Sequence, residues 1–174
     1  MRSSPTSVGA MSAVTYRTVD SPVGPLLLAS SSDGLVRIAF ACEGFDAVLH
    51  SLTGQSITEG TSPVLEDAAA QLDEYFAGTR HDFDLPLSLP GHSFRRTVQR
   101  ALRGIPYGET RTYKEVAGSV GNPNAVRAVG TACATNPLPL VIPCHRVLRS
   151  DGGIGGYLGG ADAKNLLLEL ERPL

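Results

Sequence analysis

The chain reads as an α/β (α+β) protein, with a small N-terminal domain of antiparallel sheet plus helices and a mostly helical C-terminal domain. Three observations carry that reading. Short alternating apolar runs broken by Gly turns crowd the first sixty or so positions, which is the period of strands. Capped stripes at helical spacing dominate after residue 92. The charge divides at the same place: residues 1–91 hold four Lys/Arg against eleven Asp/Glu, a net of −7, and residues 92–174 hold eleven against six, a net of +5. With 174 residues, 42% of them hydrophobic, the chain can bury one good core or two small ones.

Met1 to Ala13 is rich in Ser, Gly and Thr without an apolar run and reads as a disordered tail, not a signal peptide. Tyr16 to Val19, Pro25 to Ser30 and Leu35 to Ala41 read as strands, the last two joined at Ser32-Asp33-Gly34 as a hairpin. Ser62-Pro63 is an N-cap with proline at the first helical position, and Leu65, Ala68, Leu72 and Phe76 then share a face until Gly78. Phe83 to Leu89 is a candidate further strand. Leu89-Pro90-Gly91 reads as a linker, giving a tail over 1–12, a scaffold domain over 13–91 and a second domain over 92–174.

In the second domain Phe94, Val98, Leu102 and Ile105 form a helical stripe, with Arg95, Arg96, Arg100 and Arg103 around the rest. Thr112-Tyr113-Lys114-Glu115 is a capping box that opens a helix ending near Gly118 or Gly121. Asn122-Pro123 is expected to cap the next, running through Arg127 to about Cys133. Two short helices separated by a Gly-containing turn form the pattern of a helix-turn-helix. Asp162 is expected to cap a last helix that buries Leu166, Leu167 and Leu170 and stops at Pro173.

Three widely spaced cysteines, Cys42, Cys133 and Cys144, argue against a disulfide framework and for a reducing, cytoplasmic setting. No apolar run suits a membrane. Cys42, His50 and His81 are too few for a closed four-ligand zinc site in the N-terminal domain, so neither metal nor cofactor is expected. The basic half suits a polyanion, because Lys and Arg displace counterions from phosphates.

The chemistry concentrates in Ile142-Pro143-Cys144-His145-Arg146-Val147-Leu148, which sets a thiol beside an imidazole and a guanidinium in an apolar run. A thiol of ordinary pKa, roughly 8.5, is mostly protonated at neutral pH, and a basic neighbour raises its thiolate fraction. The apolar flanks predict a buried strand delivering Cys144 to a pocket. The run Gly152-Gly153-Ile154-Gly155-Gly156-Tyr157-Leu158-Gly159-Gly160 has six glycines in nine positions and matches no phosphate-binding fingerprint. It reads as a pocket wall whose backbone comes close to a ligand.

The signature Ile-Pro-Cys-His-Arg-Val-Leu resembles that of the O6-alkylguanine-DNA alkyltransferases. Pro106-Tyr107-Gly108-Glu109-Thr110, Thr112-Tyr113, Gly121-Asn122-Pro123, Ala125 to Gly130, Asn136-Pro137 and the Gly-rich run follow in the family's order over about residues 92–174. The resemblance implies transfer of the alkyl group of O6-alkylguanine, and of O4-alkylthymine as an extension, from duplex DNA to Cys144 in a single, self-inactivating turnover. It implies that His145 acts on Cys144 through a water, oriented by Glu171, that Asn136 braces the helices against the cysteine loop, and that Tyr113 donates to guanine N3.

By the same resemblance the second helix enters the minor groove. Arg127 replaces the extruded base, and Thr112, Tyr113, Ala125, Ala128 and Arg95 face the DNA. Tyr157, Val147, Gly156, Leu158 and Pro139 line the base pocket, and Leu158 stands where many relatives carry a small polar residue. A monomer is expected, with cooperative binding on DNA left open. The alternative is a non-catalytic module that binds alkylated bases or regulates; a thiol hydrolase using Cys144 and His145 is a further rival.

Overall fold

The computed structural model describes residues 12–52 and 54–173. The N-terminal half is a four-stranded sheet in the order β3-β2-β1-β4, built from β1 (Ser12–Val19), β2 (Leu26–Ser31), β3 (Gly34–Phe40) and β4 (Gln55–Glu59). β1 pairs antiparallel with β2, and β2 with β3, while β1 and β4 run parallel. Residues 1–11 of the expected tail lie outside the described residues. Ser12 and Ala13 already belong to β1, drawn into the sheet by pairing with Gln55 and Ser56.

β2 reads as an unbroken apolar run because both of its faces are covered. Leu26 and Leu28, with Ile38 and Phe40 of β3, face the main core under α2 (Pro63–Phe76). Leu27 and Ala29, with Ala39 and Val14, pack on the other face against Val48 of α1 (Phe45–Ser51). The sequence pattern did not announce α1 and β4, since both are short and mostly exposed. Phe83–Leu89 forms no strand; only Leu87 makes an isolated bridge to Leu35. Ser62 caps α2 as expected by accepting from the Leu65 amide, but Tyr75, not Phe76, is the fully buried aromatic of its last turn.

The second half holds α3 (Phe94–Leu102), α4 (Tyr113–Ser119), α5 (Val126–Ala134) and α6 (Ala161–Glu171), with a small parallel pair of β5 (Arg111–Thr112) and β6 (Val147–Leu148). Thr112 and Glu115 form the expected capping box, a motif that stabilises a helix start by about 1 kcal/mol. Asn122-Pro123 does not cap α5. The chain makes a turn there, with the Ala125 amide donating to Asn122 O, and the helix begins at Val126 without a side-chain cap. Gly160, not Asp162, is the N-cap of α6, and Leu166 stays largely exposed while Leu167 is buried.

The two halves share one apolar core. Leu26, Leu35, Phe40 and Tyr75 of the first half cluster with Val98, Leu102, Leu138 and Leu167 of the second. A backbone tie reinforces it: the Ile38 amide donates to Pro137 O at 2.8 Å. No helix of the described residues is long and apolar enough to cross a membrane.

Candidate active site and the helices that flank it

The segment from Asn136 to Ile142 is a knot of local hydrogen bonds that aims the cysteine. Buried Asn136 donates through Nδ2 to Ile142 O at 2.8 Å and accepts the Leu138 amide on Oδ1 at 3.0 Å. Leu140 within it has a φ of 77°, a left-handed conformation that costs an L-residue roughly 1–2 kcal/mol and is sustained by full burial. This bears directly on the bracing role expected of Asn136: its amide ties the end of α5 to the residues before Cys144.

Cys144 does not ride on a strand. Cys144–Arg146 form a single 3₁₀ turn, with the Arg146 amide bonded to Pro143 O at 3.0 Å, and the strand begins only at Val147. Pro143 has no amide to place in a ladder, so the chain turns instead. At three residues per turn, consecutive side chains point about 120° apart. Cys144, His145 and Arg146 therefore fan in separate directions, and all three are buried.

His145 and Arg146 both reach Glu171 at the end of α6. His145 Nε2 lies 2.6 Å from Glu171 Oε2, and Arg146 donates through Nε to Oε1 at 2.7 Å and through Nη2 to Oε2 at 3.1 Å. Arg146 Nη1 donates to Ile105 O at 2.6 Å, and Tyr75 donates its hydroxyl to Glu171 Oε2 at 2.5 Å. Glu171 is only 3% exposed, which excludes the exposed helix-end role that its sequence position suggests. Burial opposes its ionisation, yet hydrogen bonds from His145 and Arg146 outweigh it and hold the carboxyl down at about 2.

Burial also holds His145 below the ordinary imidazole range, against the pull of the Glu171 hydrogen bond. A neutral ring that gives its Nε2 proton to the carboxylate leaves Nδ1 as the basic nitrogen. That Nδ1 is buried and has no protein partner among the described residues. Cys144 is pushed up to about 11 by burial, with the Asn136 side chain and the Lys164 charge pulling the other way. Burial thus outweighs the pull of the neighbouring cation and favours the protonated thiol at rest. The thiol needs a base at the moment of reaction.

Lys164 gave no sign of itself in the sequence, where the Ala161-Asp162-Ala163-Lys164 start of a helix reads as surface. Here it is fully buried, and its Nζ donates to Val147 O at 2.7 Å, to Ile154 O, and to Gly156 O at 3.4 Å. One ammonium thus gathers the strand after the cysteine and two carbonyls of the glycine loop. A glycine-rich loop beside a buried site exposes carbonyls in need of a donor, and that was the signal available.

The same loop is held from the N-terminal half. The Tyr157 ring meets Phe40 edge-on at 5.4 Å and His145 at 6.4 Å, and its hydroxyl is buried without a partner among the described residues. A Cβ at position 159 would lie 2.8 Å from the Phe40 ring, and Gly155 has a φ of 73° with a Cβ there 2.9 Å from Tyr113 Oη, so both positions favour glycine. Cys42 donates its thiol to Leu158 O at 3.2 Å. Tyr113, Tyr157 and the cysteine turn are thereby brought together around the loop. Val147 and Pro139 are buried, Leu158 is half-buried and Gly156 is exposed. A cavity of about 730 Å³ opens elsewhere, lined by Phe83, Leu89, Arg103 and Leu140; it reaches Pro143 and Arg146 but not Cys144, and its size alone does not make it the reaction site.

The flanking helices present a different surface. α3, α4 and α5 pack on one another, locked by buried Gln99, whose Nε2 donates to Ala132 O at 3.0 Å. α5 buries Val129, Ala132 and Cys133 and leaves Arg127 and Ala128 exposed, with Ala125 half-buried at its N-cap. Among the described residues, the Arg127 guanidinium finds no acceptor. Arg95 is exposed on α3, and Thr112 and Tyr113 sit half-buried at the start of α4.

Residues 14–89 match the ribonuclease-like domain of 6-O-methylguanine DNA methyltransferase, and residues 93–173 match the DNA binding domain of the same family. A methylated-DNA–protein-cysteine methyltransferase of Methanosarcina barkeri is 44% identical over 162 residues, 90% of this chain and 96% of that protein. The chain belongs to the 6-O-methylguanine DNA methyltransferase family. The constitutive methylated-DNA–protein-cysteine methyltransferase of Bacillus subtilis is 43% identical, covering 90% of this chain and 94% of that protein. Among solved structures of the methyltransferase family, Mycobacterium tuberculosis OGT in complex with DNA superimposes with a TM-score of 0.79 at 42% identity, over 91% of this chain and 92% of that one.

Proposed function

We propose that the protein repairs O6-alkylguanine in duplex DNA by moving the alkyl group onto Cys144, once per molecule. Alkyl transfer to a protein cysteine follows from membership of the family; the acceptor and the roles of its neighbours are our reading. The observation that carries it is a buried cysteine on a turn whose next two side chains are both bound to one buried carboxylate.

In this reading Glu171 holds neutral His145 by Nε2 and turns Nδ1 toward the thiol, with a water relaying the proton. As the Cys144 proton leaves, Sγ attacks the alkyl carbon, the S–C bond forms and the C–O6 bond breaks. Guanine departs with the bonding pair on its ring system, and the Tyr113 hydroxyl, donating to N3, offsets that charge. The thioether has no leaving path, so the protein is consumed with each repair.

Duplex DNA hides O6 in the stack, and the base must be turned out at a cost of a few kcal/mol. Exposed Arg127 on α5, flanked by Ala125 and Ala128 that let the backbone approach the minor groove, suits the vacated position. Arg95, Thr112 and the uncapped amides at the start of α5 suit phosphates. Gly156, Tyr157, Leu158, Val147 and Pro139 are the proposed surroundings of the flipped base, and the protein works as a monomer.

Cys144→Ser should abolish transfer while duplex affinity stays within about twofold, because phosphate contacts come from other elements. Stoichiometric alkylation of that variant at Cys42 or Cys133 would overturn the assignment. A hydrolase would instead turn over repeatedly, and a non-catalytic reader would leave the lesion on the DNA.

A further inference from the structure

The N-terminal half carries none of the signature residues, yet one of its side chains reaches the innermost layer of the site. Tyr75, in the last turn of α2, is fully buried, and its hydroxyl donates at 2.5 Å to Glu171 Oε2, the oxygen that also takes His145 Nε2 at 2.6 Å. We infer that Tyr75 is a positioning residue for alkyl transfer, which acts through Glu171 to set how readily His145 accepts the Cys144 proton. The inference rests on the proposed role of Glu171 and His145.

The physical case is the competition at one oxygen. Oε2 receives Tyr75, His145 and Arg146 Nη2, while Oε1 receives Arg146 Nε. Each donor draws negative charge from the carboxylate, so removing one makes it a stronger acceptor for the rest. With the Tyr75 hydroxyl gone, Glu171 stabilises the imidazolium more, and His145 keeps a proton to higher pH. Neutral His145, the form able to take the thiol proton, then becomes scarcer on the acid side.

The surroundings allow that effect to be read. His145 faces Glu171 and Lys164 from α6, Arg146 from its own turn and Tyr157 from the glycine loop; Glu171 faces Tyr75 from α2 and, further off, Tyr107. The Tyr75 ring sits among Phe76, Phe83 and Tyr107 at centroid distances of 5.2–6.2 Å, so its ring packing and its hydroxyl can be separated by substitution. Tyr75→Phe keeps the ring and deletes only the donor.

The test is the single-turnover rate of benzyl transfer from free O6-benzylguanine to the full chain, by intact mass, from about pH 5 to about pH 9, where an imidazole titrates. For Tyr75→Phe the acid limb should move up by about half a pH unit, about a threefold loss of rate on that limb, with the plateau little changed. Installing 3-fluorotyrosine at position 75, a stronger donor of nearly the same shape, should move the limb down. The second variant keeps the test decisive if the first folds poorly. A uniform rate loss with the acid limb unmoved in both proteins means a structural role and overturns the inference. Failure of the unsubstituted protein to transfer, or an acid limb that His145→Asn leaves untouched, would instead sink the reading on which it rests.

Discussion

The cysteine turn and helix α5 sit in one domain and are built on opposite terms. Around Cys144 five side chains are buried and hydrogen-bonded: His145, Arg146, Asn136, Lys164 and Glu171 are each at most 5% exposed, and each has a hydrogen-bond partner. On α5 Arg127 stands in the open among small residues, with no protein acceptor among the described residues. Chemistry at a protonated thiol needs groups fixed before the substrate arrives, whereas opening a duplex needs a side chain that is free until DNA is present. Rigidity belongs to the first task and accessibility to the second.

That contrast predicts how each region breaks. Glu171→Gln removes the charge that balances Arg146 and orients His145, so transfer should fall by roughly 100-fold or more on duplex DNA and free O6-benzylguanine alike. Thermal unfolding should fall with it, since a buried guanidinium loses its counter-charge at a cost on the order of 3 kcal/mol. A Gln variant as fast as the unsubstituted protein would remove Glu171 from the mechanism.

Arg127→Ala should divide the two substrates. At saturating duplex the single-turnover rate is expected to drop roughly 10- to 100-fold, while the free base, which needs no flipping, reacts within about twofold. A lesion opposite a mismatch, already partly unstacked, should fall between. Equal rates on saturating duplex would make Arg127 a phosphate contact, and its loss would then appear only as weaker binding with a shallower salt slope.

The buried network also sets an acid limit on stability. His145 is held below its unfolded range, so folding favours the neutral ring and stability falls as pH drops below about 6.5, where the unfolded chain takes up a proton. Glu171 is held at about 2, so its contribution is whole above the unfolded carboxyl range and is lost as pH falls through that value. Denaturant midpoints against pH should show both losses, and the lower one should vanish in Glu171→Gln. At the small end, Arg95→Ala should weaken duplex affinity less than about threefold, reduce the salt slope by about one, and leave free-base transfer unchanged.

The outer plan of the molecule was readable from local rules. The β2–β3 hairpin, the Ser62-Pro63 start of α2 and the Thr112–Glu115 capping box are set by neighbours in the chain. The site was readable only in part. Cys144 and His145 announce themselves by adjacency, but the apolar flanks suggested a strand where the segment, with Pro143 at its start, makes a 3₁₀ turn. Lys164 and Tyr75 were invisible: each looks like an ordinary helical residue until the fold brings a glycine loop to one and the end of α6 to the other. Glu171 lies 26 positions from His145, and only the packing of α6 on the cysteine turn joins them.

The central claim is that a buried, protonated Cys144 is the sole acceptor. Intact mass followed by peptide mapping, after incubation with a duplex carrying one O6-methylguanine, tests it most directly. The account predicts one added methyl per protein, confined to the peptide with Cys144, with an equal amount of guanine restored in the DNA. A methyl on Cys42 or Cys133, or lesion loss that leaves the protein mass unchanged, would contradict it.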